Sequence, residues 1–128
     1  MELILDTHAL IWILLSDKRI HARHREWLLD PANKIYVSSV SAFELSTKVR
    51  IGKLPEAAGI VKNFENICND FGYIQLQVSH AHGLASGLLV GEHRDPFDRL
   101  LAAQSIVENM PIMTVDAKLR ELGAEVVW

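Results

Sequence analysis

The stretch "ELILDTHALIWILL", residues 2–15, carries two hydrophobic patterns joined at a single acid. Residues 2–5 are a short apolar run of the buried-strand type, and Asp6 closes it. From Thr7 to about residue 16 the apolar spacing is helical. The same switch of period recurs along the chain. A more polar helix is expected over about 20–30, ending at "DPANK", and a β-branched strand "IYVSS" over 35–39. "SAFE", 41–44, has the form of a capping box and predicts a helix from there to about Gly52. Pro55 opens another helix that runs to about "NDFG", and "YIQLQ", 73–77, is a third strand. A helix over 79–90 follows, then a helix from about Pro96 to Asn109, the strand "PIMTV" (111–115), a helical turn and a last strand in "AEVVW". Strand alternating with helix throughout predicts an α/β three-layer sandwich around a mostly parallel sheet of about five strands, in one domain spanning 1–128.

Composition narrows the class. With 49% hydrophobic residues in 128, the chain suits one domain with a substantial core. The longest unbroken apolar run, "ALIWILL" at 9–15, is far too short to span a bilayer. An acid stands in "MELILD" where a secretory leader would be basic, so no leader and a cytoplasmic location are expected. The lone Cys68 excludes an internal disulfide and a cysteine-based zinc site, and it fits a reducing compartment. A net charge of −3 argues against a generic basic nucleic-acid binder. Basic residues nevertheless crowd into 18–25, where they would either line a solvated helix face or guide a phosphate backbone, and again around Lys48, Arg50 and Lys53.

The chemistry gathers in "HRDPFDRLLAAQ", 93–104. Asp95 suits an N-cap, Pro96 the first helical position, and Asp98 the first turn, where a negative charge meets the helix dipole. Other acids sit at comparable junctions. Asp6 ends the first strand, Asp116 ends "PIMTV", and Glu44 falls in the first turn of the helix after the second strand. Each alone reads as a cap. Together they belong to the carboxyl edge of a parallel sheet, where ligands bind at the switch in strand order. Four carboxylates gathered there would repel by several kcal/mol at an effective dielectric near 20. Protonation or a cation must relieve them, and oxygen donors without cysteine favour Mg²⁺, with Mn²⁺ as the alternative. Thr7 and Thr114 stand beside two of the acids, placed to fix a carboxylate or a ligand water. His93, Arg94 and Arg99 are candidate phosphate contacts; His80 and His82, two apart on a helix, face different ways and would not share a metal.

At these residues the chain resembles the PIN-domain ribonucleases, in particular the VapC-like toxins of toxin–antitoxin pairs. The resemblance rests on "LILDTHALIWIL", "VSSVSAFELSTKVRIGKL", "HRDPFDRLLAAQ", "PIMTVDAKL" and the final "VVW", in that order and spacing. It implies that Asp6, Glu44 and Asp98 bind metal, with Asp116 the fourth acid, and that Asp95 supports them as the N-cap. It further implies a PIN-like sheet, an RNA substrate hydrolysed by metal-activated water, a homodimer, and an antitoxin that wraps the toxin. Two other readings share the features: a phosphorelay receiver domain, and a non-catalytic PIN-like interaction module. A receiver would want paired acids after the first strand and an acid ending the third; Thr7 follows Asp6, and "YIQLQVS" has no acid.

Overall fold

The computed structural model describes residues 1–128. Strand β1 (Glu2–Leu5) leads through Asp6 into α1 (Thr7–Leu14), and α2 (Ala22–Leu29) returns the chain to β2 (Lys34–Ser38). Then come α3 (Ser39–Arg50), a 3₁₀ turn (Pro55–Ala57), α4 (Ala58–Lys62), α5 (Phe64–Asp70) and β3 (Ile74–Leu76). Two longer helices, α6 (His80–Leu88) and α7 (Pro96–Glu108), precede β4 (Ile112–Met113), α8 (Ala117–Glu121) and β5 (Val126–Val127). The five strands form one sheet in the order β3-β2-β1-β4-β5, and every pairing is parallel. The predicted class and strand number are what the structure has.

The period-two rule of a strand divides the core between the two faces of the sheet. Leu3, Leu5, Ile35, Val37 and Met113 face α1 and the segment from α3 to α5, in a cluster with Leu10, Leu45 and Ile60. Ile4 and Ile112 face the other way, against Leu101 and Ala102 of α7 and Leu119 of α8. The register agrees: Ile4 lies opposite both Tyr36 and Ile112, and Leu5 opposite both Val37 and Met113. Burial of each such Leu or Ile side chain contributes roughly 1.5–3 kcal/mol. Because the chain runs β1-β2-β3 in one direction and then crosses back to β4, the strand order reverses between β1 and β4. That is the switch point. It also separates the fold from the receiver type, whose order is 2-1-3-4-5.

Several boundaries differ from the sequence reading. The helix after β2 begins at Ser39, not Ser41, because Ser38 at the strand end caps it by accepting from the Val40 N–H at 3.0 Å. Glu44 therefore lies in the second turn, and the expected capping box does not form. The long helix after Pro55 is broken into three pieces, with a non-helical kink at Asn63 (φ −117°, ψ 24°). The strand expected over 111–115 has only two ladder residues. Its chain turns at Thr114, whose hydroxyl accepts the Asp116 N–H at 2.9 Å.

A histidine anchors α2 to the end of the chain. The His24 ring is fully buried, its Nδ1 accepts the His21 N–H at 3.0 Å, and its centroid lies 4.3 Å from that of Trp128. Burial pushes its pKa down, with the charges of Arg23 and His21 adding to the effect. The sign follows. The folded state favours the neutral ring, so this contribution to stability is complete above the unfolded value near 6.5 and is lost as pH falls through that value and the lower folded one. His24→Gln, which keeps an acceptor for the His21 N–H, is expected to lose less stability than the parent between pH 7.5 and 5 in urea titrations. Equal losses would show that the ring does not titrate with unfolding.

Candidate metal centre

The site is built on the switch point. Asp6 follows β1 and is buried, with 4% of its surface exposed. Its Oδ1 accepts the Ala9 N–H at 2.6 Å, which makes it the N-cap of α1. Its Oδ2 accepts the Thr114 hydroxyl, which comes from the neighbouring strand across the reversal. Burial pushes the Asp6 pKa up and the Glu44 charge adds to this, while the Thr114 and Ala9 hydrogen bonds and His8 pull it down.

Glu44, Asp98 and Asp116 reach the same place from three other elements. They line one cleft of about 370 Å³, together with His8, Lys48, Lys53, Asp95 and Lys118. Pro96 sits at the first position of α7, and Asp95 is the N-cap, its Oδ1 accepting the Phe97 N–H at 2.9 Å. Asp98 is thereby turned into the cleft on the first turn. Its pKa is raised by burial first and then by Asp95 and Asp116, and is lowered by His93. Asp116 caps α8, its Oδ1 accepting the Lys118 N–H at 2.9 Å. Asp6, Asp95 and Asp116 thus cap helices, while Asp98 comes from a first turn and Glu44 from a second. The structural and the chemical readings of each aspartate are one arrangement.

Two partners were not legible in advance. Lys48 pairs with Glu44 at 3.0 Å, one helical turn on. The i, i+4 spacing could have signalled it. His93 Nε2 lies 2.7 Å from Asp98 Oδ2. No local pattern gives that contact, because it closes across the turn at Asp95-Pro96. His93, Asp95 and Asp98 are the one trio of His, Asp or Glu donors whose atoms all lie within 4.8 Å of one another. Asp6, Glu44 and Asp116 are not members of that trio, though Glu44 and Asp116 line the same cleft as Asp95 and Asp98.

Other expected contacts are corrected. Thr7 does not hold a carboxylate; its hydroxyl is 3.0 Å from that of Ser41, which pins α1 to α3. Arg99 is not free for phosphate. Its Nε and Nη2 donate to Ser86 O at 3.1 and 2.9 Å, Nη2 to Leu89 O at 2.7 Å, and Nη1 to His93 O at 3.0 Å. The guanidinium clamps the segment that carries His93. Arg94 is exposed beside it. His82 is buried, with Glu108 at 2.8 Å.

The donor set fits a hard divalent cation. Two carboxyls are driven up in pKa by burial and like charge, and a cation would relieve both. Lys48 pairs with Glu44, and His93 is hydrogen-bonded to Asp98. Mg²⁺ commonly keeps several waters and needs only one or two direct carboxylates. That suits acids arranged around a cleft rather than in a closed cage.

Sequence comparison matches residues 3–125 to the PIN domain model, and the chain belongs to that family. No curated protein matches it in sequence. In fold it is similar to VapBC2 from Rickettsia felis bound to a DNA fragment from their promoter, at 19% identity and TM-score 0.71 over 100% of this chain and 99% of that one. DNA-bound VapBC from Salmonella typhimurium gives 17% identity and TM-score 0.70 over 99% and 97%. FitAB bound to the IR36 DNA fragment gives 17% and 0.67 over 98% and 93%. At these identities the likeness speaks for the fold.

Melting curves test the shared charge of the site. The Asp98 pKa is raised, by burial first and by Asp95 and Asp116, even with His93 pulling it down, so at pH 7.5 the ionised carboxylate costs stability. Asp98→Asn is expected to melt a few degrees above the parent in chelator. Millimolar Mg²⁺ should raise the parent's melting temperature by mass action and the variant's much less. A variant that melts lower in chelator and responds equally to Mg²⁺ would mean that the carboxylates do not share a site.

Proposed function

We propose that this chain is a metal-dependent endoribonuclease and the toxin of a toxin–antitoxin pair. The observation that supports the reading best is the cleft at the switch point, lined by Glu44, Asp98 and Asp116 with Asp6 behind it, in a chain of the PIN domain family. Asp6, Glu44 and Asp98 are the proposed ligands of Mg²⁺ or Mn²⁺, with Asp116 as the fourth acid. A divalent ion held there would lower the pKa of an attacking water and neutralise charge on the phosphate.

The chain's own residues do the rest. Asp6 is fixed by two hydrogen bonds, so its remaining lone pairs keep one direction. Thr114 orients it and is itself fixed by the Asp116 N–H. Lys48, Lys53 and Lys118 line the cleft and offer positive charge to a phosphate that four carboxylates alone would repel. Arg94 and His93 are the remaining candidates for phosphate contact at the rim. Water attack needs no neighbouring 2′-hydroxyl, and the resemblance to PIN-domain ribonucleases implies products with 5′-phosphate and 3′-hydroxyl ends.

The VapC-like resemblance of the sequence motifs implies a cognate antitoxin and a homodimer. Exposed apolar side chains support a protein partner: Leu84, Leu88 and Val90 are 70, 83 and 91% exposed in and after α6. Contiguous patches of this kind commonly mark interfaces. No helix is long and apolar enough to cross a membrane, and a cytoplasmic site of action is proposed.

Purified protein is expected to cleave RNA with Mg²⁺ or Mn²⁺, to stop on chelation, and to leave 5′-phosphates. Asp6→Asn and Asp98→Asn should each reduce cleavage by a hundredfold or more and abolish growth arrest on expression, while remaining folded by circular dichroism. Activity that persists in chelator and yields 2′,3′-cyclic phosphates would overturn the mechanism. Complete inactivity of the parent towards RNA would favour a non-catalytic interaction module.

A further inference from the structure

Beside the acidic cleft lies a second pocket of about 510 Å³, lined by Trp12, Lys18, Arg19, His21, Val115 and Trp128. We infer that it is a subsite for one unstacked base of the RNA and its adjoining phosphate; this rests on the nuclease reading above and adds to it the residues that hold a nucleotide beside the cleft.

Three observations carry the assignment. The first is a flat, fixed stacking surface. The Arg19 guanidinium lies 4.3 Å from the Trp12 ring centroid, and Asp17 holds it from the side through Nε at 3.0 Å and Nη2 at 2.9 Å. Trp12 is in turn held edge-on by Trp128 at 5.6 Å. Guanidinium and indole planes are the surfaces on which splayed-out bases stack. Since Asp17 occupies the fork of Arg19, the plane stacks without reading base edges, and recognition is tolerant of sequence.

The second is charge. Lys18 enters none of the ion pairs of the chain and is exposed where it lines the pocket, as His21 also does. The only acid in 17–25 is Asp17, which Arg19 neutralises. In a chain of net charge −3, this local excess of positive charge complements a phosphate.

The third is continuity with the chemistry. His8 lines the acidic cleft and lies 6.0 Å from Trp12 by ring centroids. Val115, 53% exposed on the pocket wall, stands between Thr114, which holds Asp6, and Asp116, which lines the cleft. A strand passing through the cleft therefore meets the pocket next. A base in a duplex is stacked and out of reach of such a pocket, so the substrate must be single-stranded there.

The test uses the full chain carrying Asp98→Asn, so that RNA is bound and not cut, with a fluorescein-labelled single-stranded oligoribonucleotide and the same sequence as a duplex. Two further substitutions on exposed side chains are compared, with melting curves as folding controls. Arg19→Lys keeps the charge and removes the plane. It is expected to weaken single-strand binding about tenfold with an unchanged salt slope. Lys18→Ala should flatten the slope of log affinity against log salt by about 0.7, the release expected for one single-strand phosphate contact. Neither should change duplex binding. Single-strand affinities and slopes equal to those of Asp98→Asn alone would overturn the pocket, and the nuclease reading would stand if the parent still cleaves RNA. Absence of both RNA binding and parental cleavage would overturn both. Loss of poly-glutamate binding in Lys18→Ala, with RNA binding unchanged, would make the pocket a protein-docking site and end the RNA assignment.

Discussion

The structure depends on one carboxylate held where the sheet reverses. Asp6 leaves β1, caps α1 through the Ala9 N–H, and takes the Thr114 hydroxyl from beyond β4. The last bond ties strands on either side of the switch point, between residues 108 positions apart in sequence. A buried carboxylate is costly unless its lone pairs are met, and here two donors meet it while burial still drives its pKa up. The residual cost is what a cation would remove. Fold and site are therefore linked at the same atoms: without the parallel order β2-β1-β4, Thr114 would not reach Asp6.

Around this anchor, ordinary helix chemistry is put to a second use. N-cap aspartates satisfy backbone N–H groups at α1, α7 and α8. In a parallel α/β sheet a helix that follows a strand, as α1 and α8 do, begins at the carboxyl edge. So does α7, which runs back to the start of β4, and the caps therefore gather there. Asp98 is added by the geometry of Asp95-Pro96, which starts α7 and turns the first-turn carboxylate inwards. The clamp of Arg99 on the carbonyls of Ser86, Leu89 and His93 then fixes the approach of that turn and brings His93 onto Asp98. Lys48 plays the matching part for Glu44.

Much of this was legible in the sequence because it depends on local rules. Strand runs such as Leu3–Leu5 and Ile35–Val37 carry their own signal, and Asp-Pro-x-Asp before an apolar helical pattern marks a helix start. Element boundaries were less legible where two caps compete. Ser38 and Ser41 both suit an N-cap, and the strand end at Ser38 decides. The contacts of Thr7 and Arg99 could not be read from local pattern because both depend on tertiary neighbours, Ser41 in one case and the backbone carbonyls of Ser86, Leu89, Gly91 and His93 in the other. The contact of His93 with Asp98 was equally hidden, because it forms only where the loop before α7 folds back.

The central claim is that the acids around Asp6 form one cation site. Its most direct measurement is anomalous diffraction from crystals of the chain grown or soaked with Mn²⁺. The account predicts a manganese peak in the cleft, with a carboxylate oxygen of Asp6 or Asp98 at a distance of about 2.1 Å and waters completing its coordination. A cleft without a peak at saturating Mn²⁺, or manganese bound only on the outer surface, would contradict it.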